Sequence, residues 1–161
     1  MRYHGYLIAL CLFTASAAAN PPAQYYDMSL PLASSLAKTV LETCQNMGQS
    51  GVVAVVDRGG QLVALLREDD VGPHNTQAAQ RKAFTALSTK NSTTDLAERA
   101  RQRADSRNLT TLPELLLLGG GVPVRFNQQV IGAVGVAGMG GSANDHQCAQ
   151  QAIATVLPDQ Q

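Results

Sequence analysis

GVVAVVDRGGQLVALLRE, residues Gly51 to Glu68, decides the fold. Two runs of β-branched and leucine residues flank Asp57-Arg58-Gly59-Gly60. Apolar runs this short, bounded by a glycine turn, predict a β-hairpin in which glycine supplies the positive φ of the turn. A strand with one wet face alternates apolar and polar residues. These runs are almost continuously apolar, so both faces of the hairpin are expected to be covered.

A second hairpin is expected downstream: Val122 to Phe126, a turn at Asn127-Gln128-Gln129, then VIGAVGVAGM. Gly132, Gly135 and Gly138 fall at every third position, which thins that strand and marks close approach by another backbone or a ligand. Between the hairpins, NTQAAQRKAFTALSTK places Ala79, Ala83, Phe84 and Leu87 on one helical face. TTDLAERARQRADSR is a second, strongly charged helix whose Arg99, Arg101, Arg103 and Arg107 read as a solvated face. Flanking everything are LASSLAKTVLETCQNM, with Pro31 suited to its first turn, and NDHQCAQQAIATVL. Helix, hairpin, helices, hairpin, helix predicts an α+β domain on an antiparallel sheet.

The chain has 161 residues, 45% hydrophobic and 15% charged, enough for one domain with its own core. Residues 1–19 are set apart: Arg2 and His4, an apolar run from Tyr6 to Phe13, then Ala15-Ser16-Ala17-Ala18-Ala19, the pattern of a signal peptide cut after Ala19. The run is too short to span a membrane, which takes about 20 residues. An exported protein, periplasmic or secreted, is therefore expected, with residues 20–30 a loosely held arm and 31–161 the domain. Loss of Arg2 leaves 11 Lys and Arg against 12 Asp and Glu, a net charge of −1 that offers nothing to nucleic acid. Cys11 departs with the signal, leaving Cys44 and Cys148 in an oxidising compartment. Each lies on the apolar stripe of its helix, which suits either a disulfide between the terminal helices or two inert core thiols.

In LLLLGGGVPVRF, Leu115 to Phe126, three glycines interrupt a packed run that resumes at once as strand. Gly119, Gly120 and Gly121 suit a sharp turn feeding the second hairpin, or bare amides lining a groove. Pro123 fits an edge strand, where no ladder donor is needed.

Together and in this order, VVAVVDRGGQLVALLRED, AAQRKAFTALSTK, LPELLLLGGGVPV, VIGAVGVAG and NDHQCAQQAI resemble the GlcG/HbpS family of haem-binding or haem-degrading proteins, over nearly all of residues 30 to 157. The resemblance implies a profilin-like α+β fold: a five-stranded antiparallel sheet, terminal helices packed on it, and homo-oligomers. A domain too small to cover every sheet face also favours a homo-oligomer. The resemblance further implies haem as a ligand and puts Arg67, Lys82 and the glycines at motif positions. Where relatives carry a Met-Asp-Gly type sequence after that arginine, this chain has the more acidic Glu68-Asp69-Asp70.

The mature chain has two histidines. His74, leading from a Gly-Pro loop into a helix bearing Arg81 and Lys82, is the first candidate for a haem iron ligand, with the cations meeting the propionates. It also suits an ordinary helix-entry residue. His146, in the first turn of the last helix, is a second metal candidate. A ligand site is thus expected around His74, Arg67, Arg81, Lys82 and Gly119 to Gly121. The same residues fit an enzyme acting on a small anionic metabolite, with Arg67 and Lys82 holding a carboxylate, glycine amides polarising an oxyanion and His74 or Glu68 moving a proton. An assembly module without ligand is the remaining alternative. GVAGMGG lacks the following strand and ribose-binding acid of a dinucleotide site, and positions 44, 74, 146 and 148 lack structural zinc spacing.

Overall fold

The decisive hairpin forms as expected. In the computed structural model, which describes Met1 and residues 20–158, β1 (Val52–Asp57) and β2 (Leu62–Arg67) pair antiparallel. Their turn is locked by the Asp57 carboxylate, which accepts from the amides of Gly59 and Gln61 at 2.8 Å each. The second hairpin joins β3 (Gly121–Phe126) to β4 (Gln129–Ala137). Its turn is two residues, not three: Asn127 and Gln128 take φ of +46° and +62°, the pair of positive values such a loop requires, and Gln129 is already strand. The expected signal segment falls, beyond Met1, outside the described residues.

Pairing of β1 with β4 unites the hairpins in the order β2-β1-β4-β3, every neighbour antiparallel. The sheet therefore has four strands among the described residues, not the five that the resemblance implied. The two apolar hairpins supply four, and the remaining candidate stretch, residues 112–120, carries Pro113 and glycines and runs as turns. Pro123 sits on edge strand β3, where its missing N–H is harmless.

Both sheet faces are covered. Helix α1 (Leu30–Gln45), opened by the Ser29 cap and Pro31, lies beside α5 (Ser142–Val156) on one face. Leu36, Ala37, Val40, Ala149, Ala152 and Ile153 close there on Val53 and Val55. Helix α2 (His74–Thr89) covers the other, where Ala79, Ala83 and Ala86 meet Val52, Ala54, Val56 and Ala133. This double cover explains the unbroken apolarity of β1, and it removes the open sheet face from the case for self-association. The Cys44–Cys148 disulfide staples α1 to α5, with Cα atoms 5.6 Å apart. The charged segment is not one helix: α3 (Thr93–Gln102) ends where Arg103 turns extended, and α4 (Ala104–Arg107) and a 3-10 turn (Asn108–Thr111) follow.

The glycines of β4 admit backbone rather than ligand. Ala54, Gly135 and Gly121 are register partners across three strands, a row of the smallest side chains beneath α2. A Cβ on Gly135 would lie 2.0 Å from the Ala79 carbonyl oxygen, and one on Gly121 2.2 Å from that of Lys82. Helix α2 thus seats directly on the sheet. Gly132 makes room for Met28, whose methyl lies 2.9 Å from where its Cβ would be. The last part of the expected loose arm is docked: Met28 is buried, Asp27 accepts from the Arg58 amide at 2.9 Å, and Tyr26 meets Phe126 edge to face at 4.9 Å. No helix among the described residues is long and apolar enough to cross a membrane.

Candidate functional site

Lys82 was expected to face an anion in a groove; the structure places it in the core, 1% exposed. It lies on the α2 face that also carries Ala79 and Ala86, and its Nζ reaches α5. There Nζ donates to the Asp145 carboxylate at 2.6 Å and to the Val136 carbonyl at 2.9 Å. The other Asp145 oxygen accepts from the Met139 amide at 2.9 Å. Gly120, at φ +122°, lets the chain pass this pair, since a Cβ would stand 2.4 Å from the Val136 oxygen and 3.1 Å from Nζ. Gly121 donates to the Thr93 hydroxyl at 2.8 Å. Lys82, Gly120 and Gly121 therefore join α2, α3 and α5 at the end of the sheet, and none of them lines a described depression.

Gly119 behaves differently. It is held between Thr94 and Ser142 and lines a depression of about 280 Å³ with Leu117, Leu118, Arg101 and His146. A second depression of about 440 Å³ adjoins it, sharing Ala97, Arg101 and Leu117 and adding Ala100 and Arg107. The two form a groove along α3 with apolar walls, a cationic rim and one imidazole. Ligand sites have this character, and their usual range is about 300–1,000 Å³. Burial pushes the His146 pKa down, opposed more weakly by the charge of Asp95, which favours the neutral ring. His146 Nδ1 is buried without a hydrogen-bond partner. Arg101 is held at the rim by Glu98, whose carboxyl pKa is lowered by that contact, by Gln102 and by the arginine's charge.

The remaining expected residues are dispersed. His74 is exposed at the first position of α2 and lines neither depression. Eight residues separate it from Lys82, about 12 Å along the helix, so it does not meet the glycine turn. Arg67 donates to the Val71 carbonyl at 2.6 Å and closes the loop before α2. Glu68 accepts from the Gly51 amide and the Gln45 side chain at 2.7 Å each, tying α1 to the first hairpin. Arg81 donates to the Leu115 carbonyl at 2.8 Å and leaves its buried Nε unpartnered beside Phe84. The constellation of Arg67, Lys82, His74 and the glycine amides, on which an anion-processing enzyme would depend, is not assembled. Sequence reasoning missed Asp145. The signal was present, since Asp145 shares a helical stripe with Cys148, Ala149 and Ala152 and is itself buried.

Comparison with known proteins agrees with this architecture. A family model described as haem degrading protein HbpS-like matches residues 28–154. Protein GlcG of Escherichia coli strain K12 is 38% identical over 110 residues, covering 68% of this chain and 81% of that protein. A crystal structure of a double mutant of Streptomyces reticuli HbpS superposes with a TM-score of 0.78 at 36% identity, covering 89% of this chain and 97% of the other. The crystal structure of a PduOC:heme complex does so at 0.72 with 25% identity, covering 80% and 94%. With the expected motifs, the antiparallel sheet and these matches in agreement, the chain belongs to the HbpS-like family, which includes the GlcG proteins.

Proposed function

We propose that this protein is an exported haem-binding protein and that haem lies in the groove along α3. The observation carrying this reading is His146, a half-buried imidazole that lines a groove whose other walls are Leu117, Leu118 and Ala97 and whose rim bears Arg101 and Arg107. His146 would hold the haem iron and the two arginines would meet the propionates. Bound haem would supply reversible coordination and redox chemistry at its iron. The family description and the haem complex of PduOC support the ligand class. Export rests on the pattern of residues 1–19, and amino-terminal sequencing of the secreted or periplasmic fraction should begin at Asn20. Assembly into a homo-oligomer is part of the same proposal, checked by sedimentation.

Hemin titration of the mature protein tests the site. His146→Ala should shift the Soret maximum and weaken binding, whereas His74→Ala should change neither. A spectrum lost in the His74 variant and kept in the His146 variant would move the iron to the amino-terminal end of α2 and overturn this assignment.

A further inference from the structure

A second groove lies at the opposite end of the molecule from His74, between the two hairpin turns and the C-terminal end of α2. It encloses about 530 Å³ and is lined by Tyr25, Phe84 and Leu87 together with Arg58, Lys90 and Arg125. No carboxylate is among its walls. The nearest acids in sequence are already engaged: Asp57 by the amides of its own turn, Asp27 by the amides of Met28 and Arg58. Among the described residues, none of the three cations forms an ion pair.

Two of these cations are held in place without being neutralised. The Arg58 guanidinium lies 3.5 Å from the centre of the Tyr25 ring. Arg125 donates to the Lys90 carbonyl at 2.9 Å, possible because Lys90 ends α2 in the left-handed conformation at φ +56°. Like charges converge here at a cost, and preorganisation of that kind favours an anion that receives them together. Phe84 provides a flat apolar wall, and Gln129, also in the lining, has a buried amide oxygen with no partner in the protein.

We infer that this groove is a second binding site, independent of the haem site, for a small aromatic dianion: a ring against Phe84 and two anionic groups shared among Arg58, Lys90 and Arg125. The site is about 24 Å from His74 along the 16 residues of α2, and none of its lining belongs to the α3 groove.

Phthalate, which puts two carboxylates on one ring, is the probe, with benzoate and inorganic phosphate as comparisons. Titrated into the full mature protein with its disulfide intact, phthalate should shift the amide NMR signals of Gly59 and Lys90 and leave that of His146 unmoved. Arg58→Gln with Arg125→Gln should weaken it by about tenfold or more, as expected for losing charge-assisted hydrogen bonds. Circular dichroism of that variant should match the parent, since neither guanidinium is buried in the core. Benzoate should bind more weakly than phthalate. Phosphate binding as tightly as phthalate would reduce the site to charge alone and overturn the aromatic assignment. Displacement of phthalate by stoichiometric hemin would place the haem in this groove and overturn both its independence and the α3 assignment. Phthalate binding that survives in the double variant would overturn the site itself, whatever hemin does at His146.

Discussion

Replacing Lys82 by methionine keeps the length and most of the apolar stem of the side chain while removing its charge. Asp145 is then left as a buried carboxylate, 3% exposed, holding one amide hydrogen bond from Met139. The Val136 carbonyl loses its donor as well. Breaking one partner out of a buried ion pair costs about 3–5 kcal/mol, because the surviving charge stays desolvated without compensation. That is a fifth or more of the roughly 5–15 kcal/mol that holds a domain folded. Asp145→Asn alone should be damaging for the mirror reason, leaving a buried ammonium. Combined, Lys82→Met and Asp145→Asn remove both charges while the amide oxygen keeps the Met139 hydrogen bond. The double variant should then be more stable than Lys82→Met by about 2 kcal/mol. Urea unfolding followed by circular dichroism reads this directly, with m-values held constant across the set. A loss under about 1 kcal/mol in Lys82→Met, or a double variant whose loss equals the sum of the singles, would show that the pair is not coupled in the way described. Hemin affinity of the folded Lys82 variant should match that of the parent, since the ammonium faces Asp145 rather than a groove.

Two further outcomes follow from the described contacts. The Cys44–Cys148 bond closes a separation of 104 residues, so its reduction should cost about 4.7 kcal/mol in the chain-entropy account, a fall in Tm of roughly 10–20 °C; calorimetry with and without reductant that agreed within about 3 °C would contradict it. His146 has a folded pKa below the ordinary 6.5, so the unfolded chain binds the proton more readily. Its contribution to stability is then complete above about pH 6.5 and is lost as pH falls through that value toward the folded pKa. His146→Gln should flatten this acid limb, and an unchanged limb would assign it to other groups.

The strands were legible because their apolar runs are short, uninterrupted and punctuated by Gly59-Gly60 and Asn127-Gln128, local signals that need no partner to read. The terminal disulfide was half legible: both thiols occupy the buried stripe of a helix, which suited two inert core thiols equally until the packing of α1 beside α5 brought their Cα atoms to 5.6 Å. The break at Arg103 was hidden, since nothing in the arginine-rich periodicity marks a residue that turns extended. The site was less legible still. A lysine and three glycines near an apolar run have the same sequence appearance whether the ammonium faces a ligand or a carboxylate 63 residues away. Asp145 decides between those cases, and only tertiary packing brings it to Lys82.

The residues that make this chain resemble its family are largely engaged in seating α2 on the sheet. Gly135 and Gly121 admit the helix backbone, Gly120 passes the buried pair, and Lys82 joins the helix to α5 through Asp145. The groove-lining cations and rings, Arg58, Tyr25, Lys90, Arg125, Arg101 and Arg107, stand on turns, helix ends and exposed faces, where a substitution disturbs no core contact. This division has a physical cause. Close helix-to-sheet contact tolerates almost no added volume, whereas a solvent-filled groove accommodates many side chains at little cost in stability. The packed glycines and Lys82 therefore transmit the scaffold, and the groove-lining side chains set the ligand. Of the glycine triplet, only Gly119 faces a groove, and it does so opposite His146 rather than His74. The ligand chemistry specific to this chain should accordingly be sought through substitutions of the groove-lining side chains, Arg58, Lys90 and His146 within the quoted stretches and Tyr25, Arg101, Arg107 and Arg125 outside them, which can alter binding in either groove without unfolding the protein.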